Sequence, residues 1–286
     1  MRVLVVGSTG AIGHQLSVAL SQNGVEVLAT SRNTILDKNL VQLDLADISG
    51  LVEVIKNQKM FDAAVLCAGV TNLRECERNP DVTSQININS QVTLAELLLK
   101  VGTKRVVCLS SNQVFDGKTA NINKLAKYAP KTEYGRQKAK AETELLKLGQ
   151  AVRVIRLTKV LSEDNSLLKD WVSKLKLGQE IKAFVDVMVS PVTLDDTVRV
   201  IADVIESENE SVTQFSATDE ISYFDMARFL AKFLQVDVGL VAEQNAEEAG
   251  ERPLGHASLE CSKFRSVIPT TSVAALQKVL GKMVSS

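Results

Sequence analysis

Short apolar runs alternate with segments of helical periodicity over the first half of the chain. Arg2–Val6 is apolar and β-branched, the pattern of a buried strand. From Ala11 to Gln22 the apolar positions recur at helical spacing, and Asn23-Gly24 supplies a stop signal. The alternation continues with strands expected at Val25–Thr30, Val41–Leu43, Ala63–Cys67, Arg105–Ser110 and Val152–Leu157. Helices are expected over Ile48–Asn57, Val82–Lys100 and Glu133–Leu148. Strands separated by helices imply crossovers between parallel neighbours. The pattern predicts an α/β fold, a doubly wound parallel sheet with helices on both faces.

Beyond Leu157 the rhythm changes. Helices are expected at Ser166–Leu177, Leu194–Glu206, Ser222–Leu234 and Thr271–Met283, with strands only at Lys182–Val189 and Val212–Ala217. We expect a sheet domain over residues 1–160 and a smaller C-terminal α/β lobe for substrate over 161–286, with part of the chain returning to the first domain. No Pro/Gly/Ser-rich linker, repeat or low-complexity tract separates them, so one compact unit is expected.

Composition narrows the function. Hydrophobic residues make up 45% of the 286, enough for a large core. With 33 basic and 34 acidic residues the net charge is −1, which points away from a nucleic-acid partner. Cys67, Cys76, Cys108 and Cys261 show no C-x-x-C spacing, and His14 and His256 lie far apart. Neither a Cys/His metal site nor a disulfide framework is expected, and thiols of this kind suit a reducing cytoplasm. The N-terminal apolar run is too short for a signal peptide and no stretch approaches a membrane span, so a cytoplasmic protein without membrane contact is expected.

The first strand runs into Gly7-Ser8-Thr9-Gly10-Ala11-Ile12-Gly13 at the start of a helix. Gly7 suits the tight turn, Gly10 a close approach of backbone to a pyrophosphate, and Gly13 close packing of helix on strand; the helix N-terminus faces the anion. This strand–turn–helix points to a dinucleotide. After the second strand stand Thr30-Ser31-Arg32 in place of the acidic residue that takes the ribose hydroxyls of NAD. A cation and hydroxyl there suit the 2′-phosphate, so NADP(H) is favoured over NAD(H), with Arg32 as a solvated loop charge the alternative. Asp44, next to Leu45 after the third strand, is a candidate for the adenine amino group or else an N-cap.

Tyr134 and Lys138 lie one helical turn apart in EYGRQKAKAE (133–142). Alone, such a pair is as well explained by a wet helix face. Together with GSTGAIG (7–13), SSNQVFDG (110–117), PKTEYGRQK (130–138) and VIRL (154–157), the chain resembles the extended branch of the short-chain dehydrogenase/reductase superfamily. Within it the pattern is similar to the dTDP-4-dehydrorhamnose reductase group, and also to the regulatory beta subunit of methionine adenosyltransferase. The resemblance implies a Rossmann-type cofactor domain, Cys67-Ala68-Gly69 beside the cofactor, and a structural or relay role for Asn87. Reduction of a ketone needs a proton for the alkoxide. Tyr134 is the candidate acid, Lys138 the cation that lowers its pKa and holds the nicotinamide ribose, and Ser111 the hydroxyl that orients the carbonyl.

Several positions depart from the reductase pattern. Lys159 stands where an aromatic of the substrate pocket is expected, Ser162 where glycine is, and Asn112-Gln113 replace an Asp and an aromatic. Ser111-Asn112 and Cys261-Ser262-Lys263 are closer to the regulatory subunit. Asn112, Lys159 and Arg252 are candidate substrate residues, the two cations for a nucleotide diphosphate or simply as exposed loop charges. Trp171 is expected to pack, and Cys67 and Cys108 to be inert core thiols. These features predict an NADP-dependent reductase of a keto group on a nucleotide-linked sugar. The alternatives are a nucleotide-sugar epimerase and a non-catalytic NADP-binding subunit of a partner enzyme. The superfamily also implies a possible homodimer through the helices at 82–100 and 133–148.

Overall fold

The computed structural model describes residues 1–33, 40–56, 58–207, 210–250 and 254–285. Six strands of the central sheet come from the first 157 residues: β1 (Arg2–Val6), β2 (Glu26–Ser31), β3 (Leu40–Gln42), β4 (Ala63–Leu66), β5 (Val106–Ser111) and β6 (Val152–Leu157). The seventh, Val212–Phe215, comes from the later half of the chain and pairs with β6. The spatial order is Val212–Phe215, β6, β5, β4, β1, β2, β3, and every pairing is parallel. The chain winds outward from β1 in one direction to β3 and then in the other from β4. The strand order therefore reverses between β1 and β4, the place where such sheets open a crevice at their C-terminal ends.

The helices are α1 (Ala11–Gln22), α2 (Ile48–Lys56), α3 (Leu73–Arg78), α4 (Pro80–Ser84), α5 (Gln91–Lys100), α6 (Glu133–Leu146), α7 (Ser166–Lys176), α8 (Leu194–Glu206), α9 (Tyr223–Phe233) and α10 (Ser272–Ser285). Successive residues of β1 enter opposite cores. Val3 and Val5 pack with Leu16 and Leu20 of α1 and Ile201 of α8. Leu4 and Val6 pack with Leu51, Ile55, Leu94 and Leu98. Burial on both faces is why the strand reads as an unbroken apolar run. A third core joins Leu168, Trp171 and Leu175 of α7 to Met226 and Leu230 of α9 and Leu276 of α10.

Two predicted elements are corrected. The helix expected over Val82–Lys100 is α4, a π-helical turn Gln85–Ser90, and α5. The strand expected over Lys182–Val189 is two, Ile181–Phe184 and Met188–Val189. Between them Asp186 accepts from the Ala246 N–H, which bends the chain away from the ladder. The strand Val241–Gln244, parallel to Ile181–Phe184, and α3 had no counterpart in the pattern. Asn57, the expected end of α2, lies outside the described residues. Among the described residues no helix is long and apolar enough to cross a membrane.

Candidate active site

The three glycines of the first turn are required for different reasons. Gly7 has φ +85° and a Cβ there would stand 2.8 Å from Ala68. At Gly13 a Cβ would come within 2.3 Å of the Gly7 carbonyl oxygen. At Gly10 it would meet that oxygen at an ordinary 3.5 Å. The fold itself thus excludes side chains at Gly7 and Gly13, whereas the bare backbone of Gly10 faces open space. Gly10 caps α1 without a side-chain hydrogen bond, and the first turn holds no acidic residue. By contrast α6, α7, α8 and α9 are capped by Thr132, Asn165, Thr193 and Ser222. An uncapped helix end with exposed Thr9, Gly10 and Ala11 beside half-buried Ile12 fits a pyrophosphate.

The neighbouring strand ends complete this crevice. Thr30 and Ser31 are buried. The Thr30 hydroxyl accepts from the Gly7 N–H, and its carbonyl accepts from that of Ser8. The Ser31 hydroxyl accepts from the Asn33 N–H, leaving Arg32 as the exposed member of the predicted pair. Asp44 accepts from the Ala46 N–H at 2.9 Å, and Asp47, not Asp44, caps α2 by accepting from Gly50. Leu45 is buried and its carbonyl takes the Ser90 hydroxyl. The N–H groups of Cys67 and Ala68 share the Val6 carbonyl, each at 3.0 Å, and Gly69 is exposed.

Ser111 ends β5, and Tyr134 and Lys138 lie on the buried side of α6. The Thr132 hydroxyl starts α6 by accepting from the Gly135 N–H at 3.0 Å. A Cβ on Gly135 would stand 2.2 Å from the Gln113 carbonyl oxygen, so only glycine lets the helix seat against the chain leaving β5. That seating brings Tyr134 to Ser111. Burial pushes the Tyr134 phenol well above its ordinary value, and the neighbouring Ser111 hydroxyl works in the opposite sense. Lys138 Nζ lies 5.9 Å from the Tyr134 ring centroid and donates to the Leu109 carbonyl at 3.0 Å. Burial holds its ammonium below the ordinary lysine value. The expectation that Lys138 draws the phenol down is corrected: burial leads, Cys76 adds to it and the Ser111 hydroxyl opposes it, so the phenol is raised and Tyr134 keeps its proton.

Asn87 is fully buried on the π turn. It accepts from the Val70 N–H at 2.8 Å and donates to the Val70 carbonyl and to Gln137 Oε1. Gln137 in turn donates to Thr83, so this set clamps α4 and the π turn onto α6.

Behind Ser111 lies a charged pair that the motifs do not foretell. Arg156 and Glu142 are each 2% exposed, with Nη2 and Oε2 2.8 Å apart. Ser110 and Tyr128 also donate to the carboxylate. The one sequence signal is a charge embedded in the apolar strand VIRL. Glu220 is a second unforeseen anchor. It accepts from the Ala257 and Ser258 N–H groups at 2.7 and 2.6 Å and pairs with His256 at 2.8 Å. Burial opposes its charge, but His256, Ser258 and Ala257 together hold the carboxyl below its usual range.

A cavity of about 500 Å³ opens above these groups, with Ser111 and Tyr134 on one wall and Lys159, Trp171, Lys182 and Tyr223 on others. Asn112 lines it as well, but its amide donates to the Ala257 carbonyl at 2.9 Å and so tethers the segment that Glu220 holds. Trp171 both packs, edge-on to Tyr223 at 6.3 Å, and borders the cavity. Arg252 lies outside the described residues. Burial pushes the Cys67 and Cys108 thiols up to about 12, so both stay protonated.

The family model described as RmlD substrate binding domain matches residues 1–285. A probable low-salt glycan biosynthesis reductase, Agl14 of Haloferax volcanii, is 23% identical over 278 residues, 93% of this chain and 91% of that protein. Methionine adenosyltransferase 2 subunit beta of Danio rerio is 23% identical over 281 residues, 92% of this chain and 84% of that protein. The crystal structure of dTDP-4-dehydrorhamnose reductase from Bacillus anthracis in complex with NADP superposes with a TM-score of 0.85. It is 20% identical, with 98% of each chain covered, and it shares this fold.

Proposed function

The chain belongs to the RmlD substrate binding domain family, and from that premise we propose that it is an NADP-dependent reductase of a keto group on a nucleotide-linked sugar. The observation that carries the reading is the placement of Ser111 and Tyr134 on the wall of one cavity, with the Lys138 ammonium 5.9 Å behind the Tyr134 ring. The uncapped, glycine-lined start of α1 lies at the same edge of the sheet. That the Haloferax volcanii relative is a probable reductase, and that the Bacillus anthracis structure is a complex with NADP, supports it further.

In this reading the α1 N-terminus and Gly10 hold the pyrophosphate, Arg32 the 2′-phosphate, and Lys138 the nicotinamide ribose. When bound, the cofactor supplies the hydride. Ser111 orients the substrate carbonyl by donating to its oxygen. Tyr134, kept as a phenol by burial, gives its proton to the same oxygen as negative charge develops there. Lys138 then stabilises the phenolate that remains.

The test is NADPH oxidation against a panel of nucleotide-linked 4-keto sugars. Oxidation that disappears in Tyr134→Phe, while NADPH still binds, is the expected result. A second reading, an NADP-binding regulatory subunit, draws on the Danio rerio relative and on Asn112, whose amide donates to the Ala257 carbonyl. It predicts NADPH binding without turnover and a partner response indifferent to Tyr134→Phe.

A further inference from the structure

We infer that Lys159 selects a substrate carrying a carboxylate on the sugar itself, beside the reacting carbonyl. The inference rests on the reading of the cavity as the substrate site and names a narrower class within it.

The charge of the cavity is the first observation. Among the described residues that line it, the ionised groups are Lys159 and Lys182, and neither Asp nor Glu is among them. A chain with net charge −1 thus presents a doubly positive cavity. Neither lysine has an ion-pair partner among the described residues. Lys159 is half-buried in a cavity with apolar and aromatic walls, where an incoming anion is held more strongly than in water.

The position of each lysine assigns its anion. Ser111 pairs in register with Leu157 across β5 and β6. Lys159 follows Leu157 by two residues and lines the same cavity as Ser111. Its backbone is fixed: the Lys159 carbonyl accepts from the Val192 N–H at 2.9 Å, and the preceding Thr158 hydroxyl donates to the Ser190 carbonyl. Lys182 belongs to the strand Ile181–Phe184, is exposed, and also borders an outer surface pocket. In this reading a nucleotide diphosphate leading out of the cavity passes Lys182 on its inner side, while Glu243 and Glu248 stand in the outer pocket that Lys182 also borders. That leaves the Lys159 charge for a group on the sugar.

The experiment is calorimetric titration of the NADP-loaded protein with UDP-glucuronate, UDP-glucose and dTDP-glucose. A charge-assisted contact of this kind corresponds to about a tenfold preference for UDP-glucuronate over UDP-glucose. Lys159→Gln is expected to bring that ratio to about one, and Lys159→Arg to retain it. Lys182→Gln is expected to weaken all three ligands by a common factor. Equal binding of the two UDP-sugars to the unaltered protein overturns the inference and leaves the nucleotide-sugar reading in place. So does a Lys159→Gln variant that weakens both UDP-sugars alike, since Lys159 then serves the diphosphate. Binding of none of the three overturns both.

Discussion

Lys138 holds its ammonium 5.9 Å from the centre of the Tyr134 ring while its hydrogen bond goes to the Leu109 carbonyl. Burial acts on the two side chains in opposite directions, raising the phenol and lowering the ammonium, and so favours the uncharged form of each. The site therefore carries a cation at a cost to the fold. Replacing it by methionine at pH 7 should raise stability by about 1 kcal/mol in urea denaturation, while turnover falls roughly a hundredfold. The sign follows from the lowered folded value. The cost is full below that value, and it is relieved as pH rises toward the ordinary lysine value near 10.4, because only the unfolded chain still binds the proton. The gap between Lys138→Met and the unaltered protein should accordingly shrink from pH 7 to pH 10. A Met variant less stable at pH 7 contradicts this account.

Gly10 and Gly13 separate cofactor binding from folding. Gly10 has φ −82°, open to any residue, and its Cβ would make only ordinary contact. Gly10→Ala should leave stability within about 0.5 kcal/mol but weaken NADPH more than about tenfold, measured by fluorescence titration. Gly13→Ala drives a methyl against the Gly7 carbonyl oxygen and should lower stability by about 2 kcal/mol. Equal NADPH affinity in Gly10→Ala and the unaltered protein removes the pyrophosphate from this turn.

Arg32 tests the cofactor's identity. It is exposed, so its contact with a 2′-phosphate is screened by salt. Arg32→Ala should weaken NADPH about tenfold at low salt and leave NADH nearly as it was. A variant that weakens both equally places Arg32 outside the 2′-phosphate contact.

Glu220 links the lobe to the cavity wall. Its folded pKa is depressed, so its contribution is complete above the ordinary carboxylate value and disappears as pH falls through the folded one. Glu220→Gln should cost about 2 kcal/mol at pH 7 and progressively less below pH 4. Substrate KM should rise as well, because the Ala257–Ser258 backbone it holds is also the tether of Asn112.

The sheet was legible because its central strands are buried on both faces and because Asn23-Gly24 ends α1 and Gly102 follows α5. Arg2–Val6, Ala11–Gln22, Val152–Leu157 and Leu194–Glu206 lie where the periodicity puts them. Val241–Gln244 escaped notice because it is short, half polar, and paired with a strand about 60 residues away in sequence. In the site, the motif-borne residues were visible and their supports were not. Glu220 reaches residues 36–38 positions on, and Gly135 is needed because Gln113, and beside it Pro130, lie against it. The direction of the Tyr134 shift was missed because spacing shows the cation one turn away and says nothing of water.

The turn Gln85–Ser90 has a consequence for how a long helix can serve two masters. An α-helix advances about 100° per residue, and a π turn accommodates one residue more than an α turn. Thr83 and Asn87 are aimed at Gln137 of α6, whereas Leu94 and Leu98 further along are aimed at the sheet. A single uninterrupted winding would set these two aims by one fixed phase. The wider turn works as a phase shifter: it absorbs one extra residue, so deleting one between 85 and 90 should leave an unbroken helix with both aims kept, whereas α winding forced on the intact stretch would point one half the wrong way.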